Sequence, residues 1–167
     1  MTRGDTGKDQ DSVEPTLRAA RPEDEPFQFA LFCERRGGPL RLAGVPAPML
    51  ENLMSVQFRA RALSYGQAHP AAKWLIVESA GEKVGELVVD TGADVLHIVD
   101  ITLAAQSRRR GLGPAVLRAV LRDMAPGAEA RALVDPANAP SRKMFATLGF
   151  AERPYDEVHI EAFWRQG

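Results

Sequence analysis

Residues 96–120 read LHIVDITLAAQSRRRGLGPAVLRAV, and this stretch changes character twice. Its first part, up to Leu103, is apolar and β-branched with one carboxylate, Asp100, inside it, which predicts a buried strand. Residues 104–113 are small, polar and basic. From Pro114 onward apolar residues recur with helical spacing, and proline suits the first turn of a helix because its missing N–H would have no partner there. The stretch therefore predicts a strand, a turn and a helix in succession.

The predicted turn has the properties of an anion site. The first N–H groups of a helix have no partner within it, and the helix dipole adds partial positive charge at the same place. Gly111 and Gly113 allow the backbone to approach an anion closely. Arg108, Arg109 and Arg110 add full charges and several donors. A diphosphate is the ligand that this combination predicts.

The glycine spacing distinguishes between diphosphate ligands. The dinucleotide pattern Gly-x-Gly-x-x-Gly fails because Val116 occupies the last position, and no Gly-Lys-Ser/Thr follows as a Walker loop would require. The pattern Arg108-x-x-Gly111-x-Gly113 resembles the acetyl-CoA diphosphate loop of the GNAT N-acetyltransferase superfamily. The alternative is a basic, solvated turn that only caps an ordinary α/β unit.

A second stretch, residues 136–150 (PANAPSRKMFATLGF), resembles the second GNAT motif, Asn-x-x-small-x-x-Leu/Met-Tyr-x-x-x-Gly-Phe. The matching positions are Asn138, Ser141, Met144, Gly149 and Phe150. Asn138 is also a suitable N-cap for a following helix, and capping alone would explain it. The family commonly has a tyrosine, the usual proton donor to the departing CoA thiolate, where this chain has Phe145. Phe145 can pack against the cofactor but donates no proton.

The resemblance covers about residues 16–165 and implies the GNAT fold, in the α/β (α+β) class. The predicted element order is β-α-α-β-β-β-α-β-α-β-β. We expect a mixed, mostly antiparallel sheet of six to seven strands, with a central βαβ crossover and about four helices on both faces. Residues 1–14 are predicted to be a disordered tail, and residues 15–167 a single domain.

The two N-terminal helices are predicted from proline, glycine and apolar spacing. The first is expected to begin at Pro22 and to end at Gly37-Gly38, followed by a loop over residues 38–48. The second is expected over residues 49–66, with Arg59 and Arg61 off its apolar stripe. These helices would either wall a substrate pocket or only cover one face of the sheet.

Composition limits the range of functions. The chain has 167 residues and a net charge of −1, so no overall field favours nucleic acid or an anionic membrane. The single cysteine, Cys33, cannot form an intramolecular disulfide, which fits the cytoplasm. No apolar run approaches the roughly 20 residues of a membrane span, and residues 1–14 do not resemble a signal peptide. The expected partner is a small-molecule or peptide amine. GNAT relatives are often dimers, and the apolar C-terminal strand is a candidate interface.

The resemblance implies acetyl-CoA as cosubstrate and assigns the residues around it. The backbone of Ile101 to Leu103 would pair with the pantetheine arm, and N–H groups near Leu103 would polarise the thioester carbonyl. The turn after it would hold the diphosphate through backbone N–H groups. No metal site is predicted. The expected cofactor contacts are Ile101, Thr102, Leu103, Arg108, Arg109, Arg110, Gly111, Leu112, Gly113, Pro114, Asn138, Ser141 and Phe145.

The candidates for proton transfer are Asp100, His97 and Tyr155. A carboxylate inside an apolar strand must be paired, hydrogen-bonded or face a cavity. Asp100 is therefore either a general base or a structural carboxylate that joins the N-terminal helices to the sheet. His97, which strict alternation places on the opposite face, is either a base or a half-exposed strand residue. Either water or another hydroxyl, such as that of Tyr155 or Ser141, would replace the missing tyrosine. Glu86 on the neighbouring strand is a further candidate base.

The predicted function is transfer of the acetyl group of acetyl-CoA to a primary amine by direct attack in a ternary complex. An alternative is an acyl-CoA-binding domain of the same fold with weak or no catalysis, a sensor or regulatory module, which the missing tyrosine favours. A third is a nucleotide-binding α/β module, which would bind ATP or NAD in place of CoA.

Overall fold

The computed structural model describes residues 14–92 and 94–167, so most of the predicted tail lies outside the described residues. The strands are β1 (Thr16–Ala19), β2 (Ala72–Ser79), β3 (Glu82–Thr91), β4 (Val95–Leu103), β5 (Glu129–Val134), β6 (Ala151–Pro154) and β7 (Ile160–Arg165). The helices are α1 (Glu25–Leu42), α2 (Ala47–Ala68), α3 (Leu112–Arg122) and α4 (Ala139–Thr147), with short 3-10 turns at Pro22–Asp24 and Ala105–Ser107.

The strands form one seven-stranded sheet in the order β1-β2-β3-β4-β5-β7-β6. Strands β4 and β5 are parallel, and the other neighbours pair antiparallel. The α3 helix makes the crossover between the two parallel strands, so the predicted fold class and element order are confirmed.

The helices cover both faces of the sheet. On one face, α3 and α4 pack their apolar residues onto the sheet in the main core, which includes Leu87, Ile98, Val116, Leu117 and Phe145. On the other face, α1 and α2 pack on each other in a smaller cluster centred on Phe32, Leu50 and Met54. None of the helices in the described ranges combines the length and apolar character that crossing a bilayer requires.

The first helix is longer than predicted, and the expected loop over residues 38–48 was wrong. Helix α1 continues through Pro39 to Leu42. Leu40, near this end, packs against the α1–α2 cluster, and such packing outweighs the local cost of glycine and proline in a helix. The chain turns at Gly44, whose φ of 78° is left-handed.

A β-bulge in β4 decides which side chains share a face. Asp100 pairs with Val88 and Ile98 pairs with Val89, so Val99 is an extra residue without a partner. The extra residue reverses the alternation, and His97, opposite Asp90, lies on the same face as Asp100. The predicted placement of His97 on the opposite face was therefore wrong.

Strands β4 and β5 separate soon after they meet. They pair only over Val95–His97 and Glu129–Arg131. Beyond that point β4 pairs with β3 alone, and the N–H of Ala104 donates to the carbonyl of Val84 at 2.9 Å. Because hydrogen-bonded pairs alternate in an antiparallel ladder, the N–H and C=O groups of Ile101 and Leu103 point away from β3. The gap between β4 and β5 is therefore bordered by main-chain groups that the sheet does not use.

Candidate active site

The loop between β4 and α3 presents a row of N–H groups without protein acceptors. Within residues 14–92 and 94–167, the N–H groups from Arg109 to Gly113 donate to no protein atom, and that of Ala115 donates to the Gly111 carbonyl at 3.1 Å. Arg109 and Gly111 have φ of 59° and 75°, both left-handed. Left-handed residues in a turn direct neighbouring N–H groups toward one concave surface, which binds anions. The loop therefore has the donors that a diphosphate needs.

The two glycines of this loop have different roles. A Cβ at Gly111 would meet no atom within 4 Å, so glycine serves its left-handed backbone there. A Cβ at Gly113 would lie 2.9 Å from the sulfur of Met144, so glycine lets α4 pack closely against the start of α3. The second glycine thus joins the two regions that carry the GNAT-like motifs.

The three arginines of the loop also differ. Arg108 donates its Nε to the carbonyl of Leu103 at 2.9 Å, across the turn. All three are exposed, but the side chains of Arg109 and Arg110 donate to no group in the described residues. Arg108 thus fixes the end of β4, while Arg109 and Arg110 supply positive charge beside the free N–H groups.

The second motif forms α4 and the residues on either side of it. Asn138 is its N-cap, and the side-chain oxygen accepts the N–H of Ser141 at 3.2 Å. Phe145 is 3% exposed, and its ring packs against Phe150 with centroids 5.0 Å apart. At the position where the family commonly has tyrosine, this chain therefore has a core side chain without a hydroxyl.

On the opposite face of the sheet, Asp100 is part of a network of charged side chains between β4 and the N-terminal helices. Its Oδ1 accepts from Nη1 of Arg35 at 2.8 Å, and its Oδ2 lies 3.6 Å from Nη1 of Arg61 and accepts from the Tyr65 hydroxyl at 3.3 Å. The same Nη1 of Arg35 donates to Oγ1 of Thr102 at 2.9 Å. Asp100 therefore joins both helices to β4, which is the structural role considered above, and it borders the gap between β4 and β5.

Glu86 is the second carboxylate of this network and is 2% exposed. Gln28 donates to it at 2.5 Å and Arg61 at 3.0 Å. Burial raises the pKa of Glu86 above its ordinary value, while the charge of Arg61 opposes that shift. A carboxyl group with a raised pKa is better suited to accept a proton from an amine near neutral pH.

Arg61 holds the network together from α2. Its guanidinium carbon lies 5.0 to 5.8 Å from the ring centroids of four aromatic residues, and its Nε is buried without a partner in the described residues. Aromatic faces and two carboxylates compensate its buried charge. The expectation that Arg61 lies off the buried stripe was wrong, because it follows Leu50, Met54 and Phe58 on the inner face of α2. The four aromatic residues are Phe32, Phe58, Tyr65 and Trp74.

Arg35, Arg61, Gln28 and Tyr65 were not singled out as site residues by the sequence patterns. A continuation of the helical spacing of α2 by one more turn would have placed Arg61 and Tyr65 on its inner face. Arg35 and Gln28 carry no such signal. Burial raises the pKa of Tyr65 to about 12, so its hydroxyl stays protonated and donates to Asp100.

His97 and Tyr155, the two other proton-transfer candidates, differ in how far they lie from Asp100 in the strand order. The ring of His97 lies 5.7 Å from that of His69, and burial lowers the pKa of His97, which favours its neutral form. Tyr155 follows β6, which is three positions from β4 in the strand order, and is 59% exposed. Its hydroxyl makes no hydrogen bond to residues 14–92 or 94–167. Within those residues, no group of three His, Cys, Asp or Glu side chains is arranged to hold a metal ion.

Comparisons with known proteins identify the family and the fold. The family model described as "FR47-like protein" matches residues 72–159, more than half of the chain, from β2 through both GNAT-like motifs. A solved structure of an acetyltransferase from Thermus thermophilus is 19% identical with a TM-score of 0.67, covering 92% of this chain and 97% of that one.

Two further structures contain forms of coenzyme A. The PaiA N-acetyltransferase of Thermoplasma acidophilum, in complex with coenzyme A, is 14% identical with a TM-score of 0.63, over 90% of this chain and 98% of that one. RimJ of Mycobacterium smegmatis, in complex with CoA-disulfide, is 22% identical with a TM-score of 0.63, covering 90% of this chain and 81% of that one. At these identities the likeness establishes the fold. With its matching family model, the chain belongs to the FR47-like family of the GNAT acetyltransferase superfamily.

Proposed function

We propose that the protein is an N-acetyltransferase that transfers the acetyl group of acetyl-CoA to a primary amine by direct attack in a ternary complex. The observation that carries the proposal is the row of N–H groups from Arg109 to Gly113, which have no acceptor in the described residues. These groups lie at the start of α3, beside the gap between β4 and β5. A diphosphate bound there directs the pantetheine arm into the gap.

The gap offers hydrogen bonds to an extended arm. The N–H and C=O groups of Ile101 and the N–H of Leu103 are not used by β3, whereas the Leu103 carbonyl accepts from Arg108. An extended amide chain pairs with such an edge as an added strand would. An N–H of the same edge would polarise the thioester carbonyl as negative charge develops on its oxygen.

The reaction needs one proton acceptor and a tolerable leaving group. The neutral amine attacks the thioester carbon, a C–N bond forms, the C–S bond breaks, and CoA leaves as a thiolate while the nitrogen loses a proton. Glu86 and Asp100 are the proposed proton acceptors, directly or through water. A thiol has an ordinary pKa of about 8.5, so the thiolate can leave without an acid, and Tyr155 or Ser141 is proposed where an acid assists.

The second candidate function is a domain that binds acyl-CoA without catalysis. The burial of Phe145 and the pairing of both carboxylates with arginine favour it. In that case the loop binds the cofactor while no group near the gap is free to take a proton.

One experiment separates these functions. The protein is mixed with acetyl-CoA, a thiol reagent and each of a panel of amines, and its melting temperature is measured with CoA, ATP and NAD. We expect stabilisation by CoA and amine-dependent release of CoA. Stabilisation by CoA without release for any amine would establish the binding domain, and stabilisation by ATP or NAD alone would refute both.

The cellular setting is part of the same proposal. We place the reaction in the cytoplasm because the one cysteine permits no intramolecular disulfide. The absence of nucleic-acid and membrane partners stays a prediction, as does a homodimer. Since β7 is paired with both β5 and β6, a dimer would have to use its side-chain face or another surface, not its backbone edge.

A further inference from the structure

We propose that Arg35 binds a carboxylate of the acceptor, so that the substrates are amines that also carry a carboxylate, such as amino acids or acidic peptides. The inference rests on the proposed acetyltransferase function and identifies the class of acceptor for that site.

Arg35 has an unused side of its guanidinium. Its Nη1 makes every contact, to both oxygens of Asp100 at 2.8 and 3.1 Å and to Thr102 at 2.9 Å. Its Nε and Nη2 donate to no group in the part of the chain that the structure describes, and its side chain is 40% exposed. The Nε–Nη2 edge is a planar fork that fits the two oxygens of a carboxylate. Asp100 and Thr102 hold the other end and so orient the fork.

The position of Arg35 is suitable for an acceptor. Asp100 and Thr102 lie on the part of β4 that has separated from β5. The neighbouring residue, Glu34, accepts the N–H of Ala105 at 2.9 Å, just beyond the end of β4. This turn of α1 is therefore attached to β4 at two points beside the gap, where the thioester of bound acetyl-CoA would lie. A carboxylate on Arg35 would hold the acceptor next to the thioester.

The charges of the same face disfavour a cationic acceptor. A polyamine would need carboxylates without partners. The carboxylates of β3, β4, β5 and β7 that share this face each have a partner side chain: Asp100 with Arg35, Glu86 with Arg61, Asp90 with His69, Glu129 with Arg131 and Glu161 with Arg153. Glu34 of α1 accepts a main-chain N–H instead. Arg35 adds free guanidinium donors and a full positive charge beside the gap, so this part of the face favours negative charge.

The test compares acceptors that differ only in the carboxylate. Steady-state kinetics are measured with free amino acids, their carboxamides, short acidic peptides, the amidated and glutamine-containing forms of those peptides, and a polyamine. We expect a preference of about tenfold to a hundredfold in kcat/KM for the carboxylate forms, the range of one or two charge-assisted hydrogen bonds. Comparing free amino acids with acidic peptides shows which of the two supplies the carboxylate that the site binds.

Substitutions at Arg35 test whether this residue causes the preference for carboxylate acceptors. Arg35→Gln should raise KM for carboxylate acceptors by about tenfold or more, leave KM for carboxamides within twofold, and leave CoA affinity unchanged. Arg35→Lys keeps the charge without the fork and should have an intermediate effect. Arg36→Gln, an exposed neighbour without a hydrogen bond in the described residues, is the matched control and should match the parent protein.

The outcomes separate this inference from the proposed function. Transfer to amines with equal use of carboxylate and carboxamide forms, or a preference that Arg35→Lys and Arg35→Gln leave intact, would overturn the role of Arg35 and leave the acetyltransferase standing. Failure of transfer to every amine would overturn both. If Arg35→Gln does not fold, the selectivity of the parent protein and of Arg35→Lys decides.

Discussion

The two sides of β4 differ in whether their polar groups have partners within the protein. On the α3 side, main-chain N–H groups from Arg109 to Gly113 have no protein acceptor in the described residues. On the α1–α2 side, the carboxylates of Glu86, which is buried, and Asp100, which is half-buried, are already paired with arginine. The first region has free main-chain donors, whereas in the second the carboxylates are paired and the free donors belong to arginine side chains. The difference teaches that main-chain donors depend on local backbone shape, whereas the paired charges depend on side chains brought together from several elements.

The largest expected effect comes from Gly111→Asp. A carboxylate would be placed beside the free N–H groups, and the left-handed backbone at φ 75° would be strained. We expect the affinity for CoA to fall by more than about a hundredfold, equivalent to the loss of one or two charge-assisted hydrogen bonds, as measured by calorimetry.

Gly127→Asp is the matched control for that change. Gly127 has a φ of 81°, and a Cβ there would also meet no atom within 4 Å, but it lies in the turn before β5. Its strain should lower stability while CoA affinity stays within twofold. Equal loss of affinity in both variants would show that strain, and not the loop, is responsible.

Gly85→Ala should disturb both sides of β4 together. A Cβ at Gly85 would lie 2.6 Å from the carbonyl oxygen of Thr102 and 2.6 Å from Leu103, so the end of β4 would have to move. We expect the free energy of unfolding to fall by about 1–3 kcal/mol, as for overpacked cores, together with weaker CoA binding.

Gly66→Ala serves as its control. Gly66 is an exposed helical residue whose Cβ would meet nothing within 4 Å, so this change should stabilise the protein by about 0.5–1 kcal/mol. Denaturant unfolding measures both variants. A Gly85→Ala protein as stable as the parent would contradict the close approach of β3 and β4.

Asp100→Asn is expected to affect only the acceptor side. Loss of the charge weakens the attachment of Arg35 and Arg61 at the gap, so kcat should fall at least about tenfold, or about 1.4 kcal/mol in activation free energy. CoA affinity should stay within twofold, because the loop makes no hydrogen bond to Asp100. An unchanged kcat would leave Asp100 a structural role alone.

The smallest effect concerns the pH dependence of stability at Glu86. Because burial raises its pKa, Glu86 contributes most to stability below its ordinary value of 4.5, and that contribution is lost as pH rises through the higher folded value. Glutamine resembles the protonated form and does not titrate. Glu86→Gln should therefore match the parent near pH 4 and become the more stable protein as pH rises, as measured by unfolding from pH 4 to 8. A difference that is constant with pH would contradict the raised pKa.

The sequence predicted the fold and the loop after β4 because both depend on local patterns. The strand–turn–helix spacing around Gly111 and the N-cap at Asn138 are short-range features, and the structure forms both. The errors arose where distant residues decide the outcome. Packing of Leu40 against the α1–α2 cluster carries α1 past Pro39, and one inserted residue at Val99 places His97 on the face of Asp100.

By itself, the sequence determined the element order, the parallel crossover and the position of the glycine-containing loop between β4 and α3. Glycine spacing and apolar periodicity act over a few residues, so they can be read without the fold. Only the tertiary structure decided how Arg35, Arg61, Glu86 and Asp100 combine. These residues come from α1, α2, β3 and β4, and their pairing depends on which faces the packed helices and the bulged strand turn toward each other.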